Sequence, residues 1–479
     1  MRKYALVGAG GRAGMFRNAF TNLFKDKAKL LAVCDPNSGR LKLMIQELAD
    51  AGIQAKPYPA ESFDAMLKEI KPDVVIVCSP DYTHDDYICR SLLAGCDVIT
   101  EKPMTIDETR CRRILDTVES TQRQVRVTFN YRYSPPRSQV KELLMSGVIG
   151  TILSVNFHWF LDTNHGADYF RRWHRNKANS GGLMVHKATH HFDLVNWWIG
   201  AVPKTVYAQG GRLFYTPEQA SRYGLENRGK RCTECPVSDR CNFYLNLSCY
   251  ETLRKLYLEN ESYDGYYRDR CVFSDEIDIE DNMNVIVQYD SGAFLNYSLN
   301  AFLPWEGYRI EFNGTKGRLE HFCQESSYIN GDGTVQGALL PEQTTIRIFP
   351  HFQTPYAVPV RSGEGAHGGG DVVMLKDLFC ADSDDPLRRA ANHIQGAYSI
   401  LIGIAANHSL ACGGKKIEVS NLLKIKDHPN YPQNQTEGRI PFVKNVEYSF
   451  GNKKGFANDL SSPSRRPANP SQHQSQGIQ

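Results

Sequence analysis

From Tyr4 onward the chain alternates short β-branched runs with longer amphipathic stretches, a rhythm that predicts a parallel sheet covered by helices. The expected strands are Tyr4–Val7, Leu30–Cys34, Val74–Cys78, Val98–Thr100 and Val125–Phe129. Helix-length segments separate them, among them Arg40–Ala51, Asp85–Leu93 and Asp107–Ser120. Ligands of such doubly wound α/β domains sit beyond the carboxyl ends of the strands. The second half has another rhythm. Asn284–Tyr289 and Ala293–Leu299 flank Asp290-Ser291-Gly292, and Tyr308–Phe312 and Gly317–Phe322 flank Asn313-Gly314-Thr315-Lys316, as antiparallel hairpin strands do. The expectation is a doubly wound domain over residues 1–130 and an α+β domain with a mainly antiparallel sheet over 131–450, interrupted by an insertion at about 214–270. Residues 458–479, rich in Ser, Pro, Gln and Asn, lack the apolar residues that offset ordering entropy and are expected to be disordered.

Composition narrows the function classes. A chain of 479 residues, 41% hydrophobic and 23% charged, suffices for two cores, since single cores seldom grow past about 250–300 residues. A net charge of +3 lacks the excess of nucleic-acid and membrane-surface binders. No segment offers about 18 uninterrupted apolar residues, and the start of the chain lacks the regions of a secretory signal. A cytoplasmic protein is expected, with no membrane span and a small molecule or a second copy of itself as partner. Its 13 cysteines are then free thiols or metal ligands rather than disulfides.

The first strand runs into Gly8-Ala9-Gly10-Gly11-Arg12-Ala13-Gly14 and then a helical pattern. Gly8 permits the tight turn, Gly10 lets backbone approach a pyrophosphate, and Ala13 fills the helix-packing position of a GxGxxG/A fingerprint. The N–H groups around Gly11 and Arg12, at a helix N-terminus, suit phosphate. This strand-loop-helix context makes the domain a Rossmann one. The second strand ends at Asp35, where a carboxylate accepts from both ribose hydroxyls and repels a 2′-phosphate, favouring NAD over NADP. Two features stand against a simple reading: Asp35 also suits a helix cap, and Arg40 lies close enough to offset its charge.

Two further loops, Cys78-Ser79-Pro80-Asp81-Tyr82-Thr83-His84 and Thr100-Glu101-Lys102-Pro103, follow later strands. With the glycine loop they resemble the Gfo/Idh/MocA family of sugar and inositol oxidoreductases. The resemblance continues through Phe129-Asn130-Tyr131-Arg132-Tyr133, Gly181 to Asp193, Ala390 to Cys412 and Lys416 to Val419. It implies that Ser79, Pro80, His84, Glu101 and Lys102 border the dinucleotide, with Lys102 at the junction of nicotinamide and substrate. An ammonium there stabilises developing alkoxide charge. It also implies a homo-oligomer formed through an open C-terminal sheet.

In Ser180-Gly181-Gly182-Leu183-Met184-Val185-His186-Lys187-Ala188-Thr189-His190-His191-Phe192-Asp193, a continuous helix would put His186, His190 and Asp193 on one face. The resemblance makes His190 the acid/base, with Asp193 orienting it. His186 stands where the family often has Asp, and Lys187 adds a charge beside it, so His186 is a second candidate for the hydroxyl proton. The same two histidines also have metal-ligand spacing, although the resemblance implies metal-free hydride transfer. Arg132, Trp173, His174 and Lys187 are candidate sugar contacts, since sugars present C–H faces to rings and hydroxyls to polar groups. His367, in a glycine-rich loop, is either a closing group or part of a linker.

Within the insertion stand Cys232-Thr233-Glu234-Cys235-Pro236, then Cys241, Cys249 and Cys271. Two thiolates separated by two residues grip one tetrahedral metal, and two more complete a closed site, with structural zinc as first choice. Some relatives carry a similar insertion with a late cysteine, which favours Cys232, Cys235, Cys241 and Cys271 as the ligand set. An iron-sulfur cluster and free thiols are the alternatives.

Together these features point to an NAD(H)-dependent oxidoreductase acting on a secondary hydroxyl or ketone of a sugar, glycoside or cyclitol. The alternative, also implied by the resemblance, is an NAD-dependent glycoside hydrolase or lyase working by transient oxidation, elimination and re-reduction. A dinucleotide-sensing binding protein is a third reading, against which both Lys102 and His190 weigh.

Overall fold

The computed structural model describes residues 1–327, 344–363, 369–380 and 385–435. His367 and the segment 458–479 lie outside the described residues. Among the described residues the first sheet has seven strands, in the order β3-β2-β1-β4-β5-β6 followed by a distant two-residue strand. These are β1 (Arg2–Val7), β2 (Ala28–Cys34), β3 (Lys56–Tyr58), β4 (Val74–Val77), β5 (Asp97–Thr100) and β6 (Val125–Val127). All six pair in parallel, and Ala391–Asn392 adds an antiparallel edge to β6. The run Val-Val-Ile-Val of β4 is buried throughout, as a strand covered on both faces must be. β3 was not anticipated: three residues with a central Pro carry no strand signal and fit only an edge.

The second sheet runs from β7 (Ile152–Asp162) and β8 (Pro203–Gly211) through the hairpin β9 (Asn282–Tyr289) and β10 (Phe294–Leu303) to β11 (Trp305–Gly314), β12 (Gly317–Ser327) and β13 (Thr344–Pro350). Short strands at Tyr356–Val358 and Ile417–Glu418 close its two ends, giving nine described strands. Every pairing is antiparallel except β7 with β10. Alternate residues of β9 and β10 are buried, so one face lies on helices. The opposite face exposes Leu153, Tyr207, Ile286 and Phe294. No helix among the described residues is long and apolar enough to cross a membrane.

One apolar core spans the inner faces of both sheets. Its centre is the helix His393–Ala411, started by an Asn392–Gln395 capping box. Two glycines bring this helix close to its neighbours. A Cβ on Gly396 would lie 2.9 Å from Val127 and 3.1 Å from Met104 in the first domain. A Cβ on Gly403 would lie 2.1 Å from the carbonyl oxygen of Met184, in the turn that carries His186. The same helix thus sets the distance between the two halves of the cleft. Gly403→Ala is expected to lower stability by about 1–3 kcal/mol through overpacking and to reduce turnover, while Gly14→Ala, with open space around it, leaves both unchanged. Thermal unfolding and activity of the two variants, side by side, check this.

Candidate active site

A cavity of about 620 Å³ opens at the carboxyl ends of β1, β2, β4 and β5, where the strand order reverses. At one end stand Gly8, Gly10, Gly11, Arg12 and Asp35. Gly8 has φ +96°, and a Cβ there would lie 2.8 Å from the carbonyl of Cys78, so only glycine passes this point. Ala13 is buried behind the loop in the helix Ala13–Asn18. Asp35 accepts from the backbone N–H of Ala9 (2.6 Å) and of Asn37 (2.7 Å). The cap of the helix Ser38–Asp50 is Asn37, whose side chain accepts from Arg40 N–H, which leaves Asp35 to the cavity. Burial pushes the Asp35 carboxyl up, opposed by Arg40.

Ser79, Pro80, His84, Glu101 and Lys102 line the middle of the same cavity. His84 bonds the carbonyls of Pro103 and Ser79, both at 2.8 Å, and so fastens the two loops together. Burial pushes its imidazole down, opposed by the two carbonyls, which accept from ring N–H groups. Arg12 donates to Glu101 at 2.8 Å and lies 3.8 Å from Asp371.

The chemistry gathers around Lys102. Its ammonium donates to the carbonyl of His186 at 3.1 Å and stands 3.4 Å from the Nε2 of the same residue. Nδ1 of His186 lies 2.5 Å from Asp81, a residue of the loop after β4 to which the sequence pattern assigns no role. With the Nδ1 proton donated to Asp81, Nε2 faces Lys102 as an acceptor. Burial pushes Asp81 well up and His186 well down. It brings Lys102 down to about 8, with Asp81 opposing. His190 lines this part of the cavity and stacks on Tyr131 at 4.3 Å.

Farther in, Trp173 and His174 line the wall and stack on each other at 3.6 Å. Lys187 also lines it, buried, 3.3 Å from Glu306 and 4.8 Å from the centre of Trp159. Glu306 in turn meets His165, which bonds Tyr169. Burial pushes Glu306 up, but His165 and Lys187 outweigh it and hold the carboxyl below its usual range. Nothing in the sequence marked Glu306, because β11 brings it across from a distant part of the chain.

Two expectations need correction. Asp193 does not orient His190, and Arg132 does not line the cavity. The helix is interrupted at Lys187, between Leu183–His186 and Ala188–Ile199, which sets His186 apart; Asp193, in the same helix as His190, is buried in the core. There both its oxygens accept from Arg132, at 2.7 and 2.6 Å, with both side chains fully buried. A guanidinium without water needs a bidentate partner, and Asp193 is that partner.

Cys232, Cys235, Cys241 and Cys271 converge on one small cavity of about 20 Å³, while Cys249 is exposed elsewhere. Arg171 donates to the Cys232 sulfur at 3.2 Å and to the Phe243 carbonyl. Among the described residues no three His, Cys, Asp or Glu side chains stand close enough together to hold a metal ion. The insertion also reaches the dinucleotide end, where Tyr257 and Asp264 line the large cavity. Neither carried a signal legible in the sequence.

Comparison with known proteins fits this arrangement. Residues 2–129 match the profile of an oxidoreductase family's NAD-binding Rossmann fold, and 141–419 match the same family's C-terminal alpha/beta domain. The chain belongs to the Gfo/Idh/MocA oxidoreductase family. The Bacillus subtilis (strain 168) protein YteT is 38% identical over 438 residues, 89% of this chain and 100% of its own. The D-glucoside 3-dehydrogenase of Escherichia coli (strain K12) is 25% identical over 46% of this chain and 61% of its own. Among solved structures, an oxidoreductase from Agrobacterium radiobacter in complex with NAD+, L-tartaric acid and magnesium superposes with TM-score 0.57. It is 16% identical over 88% of this chain and 99% of that one, and so shares the fold.

The buried pair sets a test. Asp193→Ala leaves the Arg132 guanidinium unpaired in the core and is expected to cost about 3–5 kcal/mol in urea unfolding, while turnover per folded molecule changes little. A stable variant with lost activity would return Asp193 to the site.

Proposed function

We propose that this chain transfers hydride between NAD(H) and a secondary hydroxyl or ketone of a sugar, glycoside or cyclitol. The observation that carries the reading is the meeting of Lys102 with His186 and His190 in one cavity that ends at the glycine loop and Asp35. Bound NAD supplies the hydride acceptor. His190 takes the hydroxyl proton, and the Lys102 ammonium donates to the same oxygen as alkoxide charge develops. His186, fixed by Asp81, holds Lys102 in place. Trp173 and His174 offer ring surface to the sugar. Lys187 in the pocket wall is charge-balanced by the buried Glu306 it pairs with, and suits hydroxyl recognition.

The roles have distinct signatures. His190→Asn is expected to lower kcat/KM by about 10²–10⁴-fold and Lys102→Ala by about 10²–10³-fold. In the oxidative direction kcat/KM falls as pH rises through about 8, where Lys102 loses its proton. Lys102→Arg keeps the charge, so that limb disappears even though the rate drops. An unchanged limb would remove Lys102 from the step. Incubation with p-nitrophenyl glycosides separates this reading from redox-neutral cleavage. Stoichiometric NADH without released phenol supports a dehydrogenase; phenol release with only catalytic NAD overturns it.

The four-cysteine cavity we read as a structural zinc site. The reading is supported by four cysteines lining one small cavity with Arg171 beside them to offset thiolate charge; their thiols stand farther apart than metal ligands do, so zinc would have to draw them together on binding. Burial pushes the Cys241 and Cys271 thiols up, so thiolates there need a cation. Metal analysis of the purified protein is expected to give about one zinc per chain, lost in Cys232→Ser; metal-free, fully folded protein would leave free thiols.

A further inference from the structure

The insertion springs from a short two-stranded root. Arg231 bridges to Arg270, Cys232 N–H donates to Asp269 at 2.8 Å, and Cys271 N–H donates to Lys230 at 2.9 Å. From that root the chain runs through Glu251–Leu256 and Leu258–Tyr263 and lies down on the first domain. Three bonds fasten it there. Gly11 N–H donates to the Tyr257 hydroxyl at 3.1 Å, Asn37 Nδ2 donates to the Asn260 carbonyl at 2.8 Å, and Arg40 pairs with Asp264. Beneath them Gly39 is bare: a Cβ there would lie 1.8 Å from Asn260 Oδ1 and 2.7 Å from the Tyr263 ring. Each anchor in the first domain belongs to the glycine loop, or to the turn after β2 and the first turn of the helix Ser38–Asp50 that follows it. The glycine loop and the end of β2 are where a Rossmann domain holds the pyrophosphate and the adenosine ribose.

We infer that the insertion is a strap forming the third wall of the dinucleotide site, with Tyr257 and Asp264 as coenzyme-holding residues that slow coenzyme release. The inference rests on the dinucleotide reading of the cavity. A phenol hydroxyl both accepts and donates, so Tyr257 keeps its place over Gly11 by donating to a phosphate oxygen that arrives there. Asp264 acts on the ribose corner. Arg40 stands 3.7 Å from Asp35 and also pairs with Asp264, so two carboxylates surround one guanidinium and the corner carries net negative charge. That charge repels a 2′-phosphate, whereas Arg40 beside Asp35 alone would leave the corner neutral. The insertion thereby answers what Asp35 and Arg40 left open in the sequence: the choice of NAD over NADP depends on a residue more than 200 positions away. Nη1 of Arg40, buried and without a hydrogen-bond partner, remains available to an acceptor on the adenosine. Coenzyme then leaves only after the contacts of the strap with Gly11, Asn37 and Arg40 are broken.

Stopped-flow displacement of bound NADH by excess NAD, read by NADH fluorescence on the full-length protein, measures release directly. Gly39→Leu wedges the strap off its seat, and Tyr257→Phe removes only the hydroxyl. Both are expected to speed release by about tenfold, with thermal unfolding of the protein unchanged. Asp264→Asn is expected to shift the ratio of NADPH to NADH affinity by about tenfold toward NADPH. Release rates within twofold of the parent, in variants that still bind NADH, would overturn the strap. A parent protein that binds no NADH would overturn the dinucleotide reading and the strap with it.

Discussion

The cleft depends on one close approach, that of the helix His393–Ala411 to the turn carrying His186. Gly403 lets helix backbone lie against the Met184 carbonyl, and Gly396 sits against Val127 and Met104 on the other side. Through these contacts a side chain at the end of the first sheet, Lys102, reaches the carbonyl of a residue beneath the second sheet at 3.1 Å. In the proposed transfer, hydride and proton leave the same carbon–oxygen unit, so the groups attending each have to be held to within tenths of an ångström. A joint made of backbone contact and close-packed core meets that demand better than a flexible linker.

Burial then sets the electrostatics. Desolvation brings Lys102 down to about 8, and pushes Asp81 up and His186 down. Water-poor surroundings strengthen each remaining interaction with a developing alkoxide. The same physics explains the neighbouring core pair. Arg132 and Asp193 sit within the same helical layer, but with no access to solvent they satisfy one another and leave the site's chemistry to others.

Much of this was legible in the sequence. The parallel strands announced themselves as β-branched runs, and the glycine loop, Asp35 and Lys102 all appear at strand ends where the fold brings ligands. The four cysteines predicted as a set do line one cavity. What failed was local geometry carried too far. A helical wheel put Asp193 on the face of His190, and both do lie in Ala188–Ile199, but the need of a buried Arg132 claims both Asp193 oxygens, while the interruption at Lys187 separates His186 from the two. Partners brought by distant chain, namely Glu306 from β11 and Tyr257 and Asp264 from the insertion, have no periodicity or motif to betray them. Asp81 was the near miss: it lay in a loop already marked, and its acidity at a strand end was the signal.

The central claim is that one substrate hydroxyl lies between groups from both halves of the cleft. A crystal structure of the protein with NAD and a bound polyol such as an inositol or a methyl glycoside tests it most directly. The account predicts a hydroxyl within hydrogen-bond distance of both Lys102 Nζ and the His190 ring, with its carbon facing the nicotinamide. A polyol bound away from Lys102, or a nicotinamide at the opposite end of the cavity from it, would contradict the account.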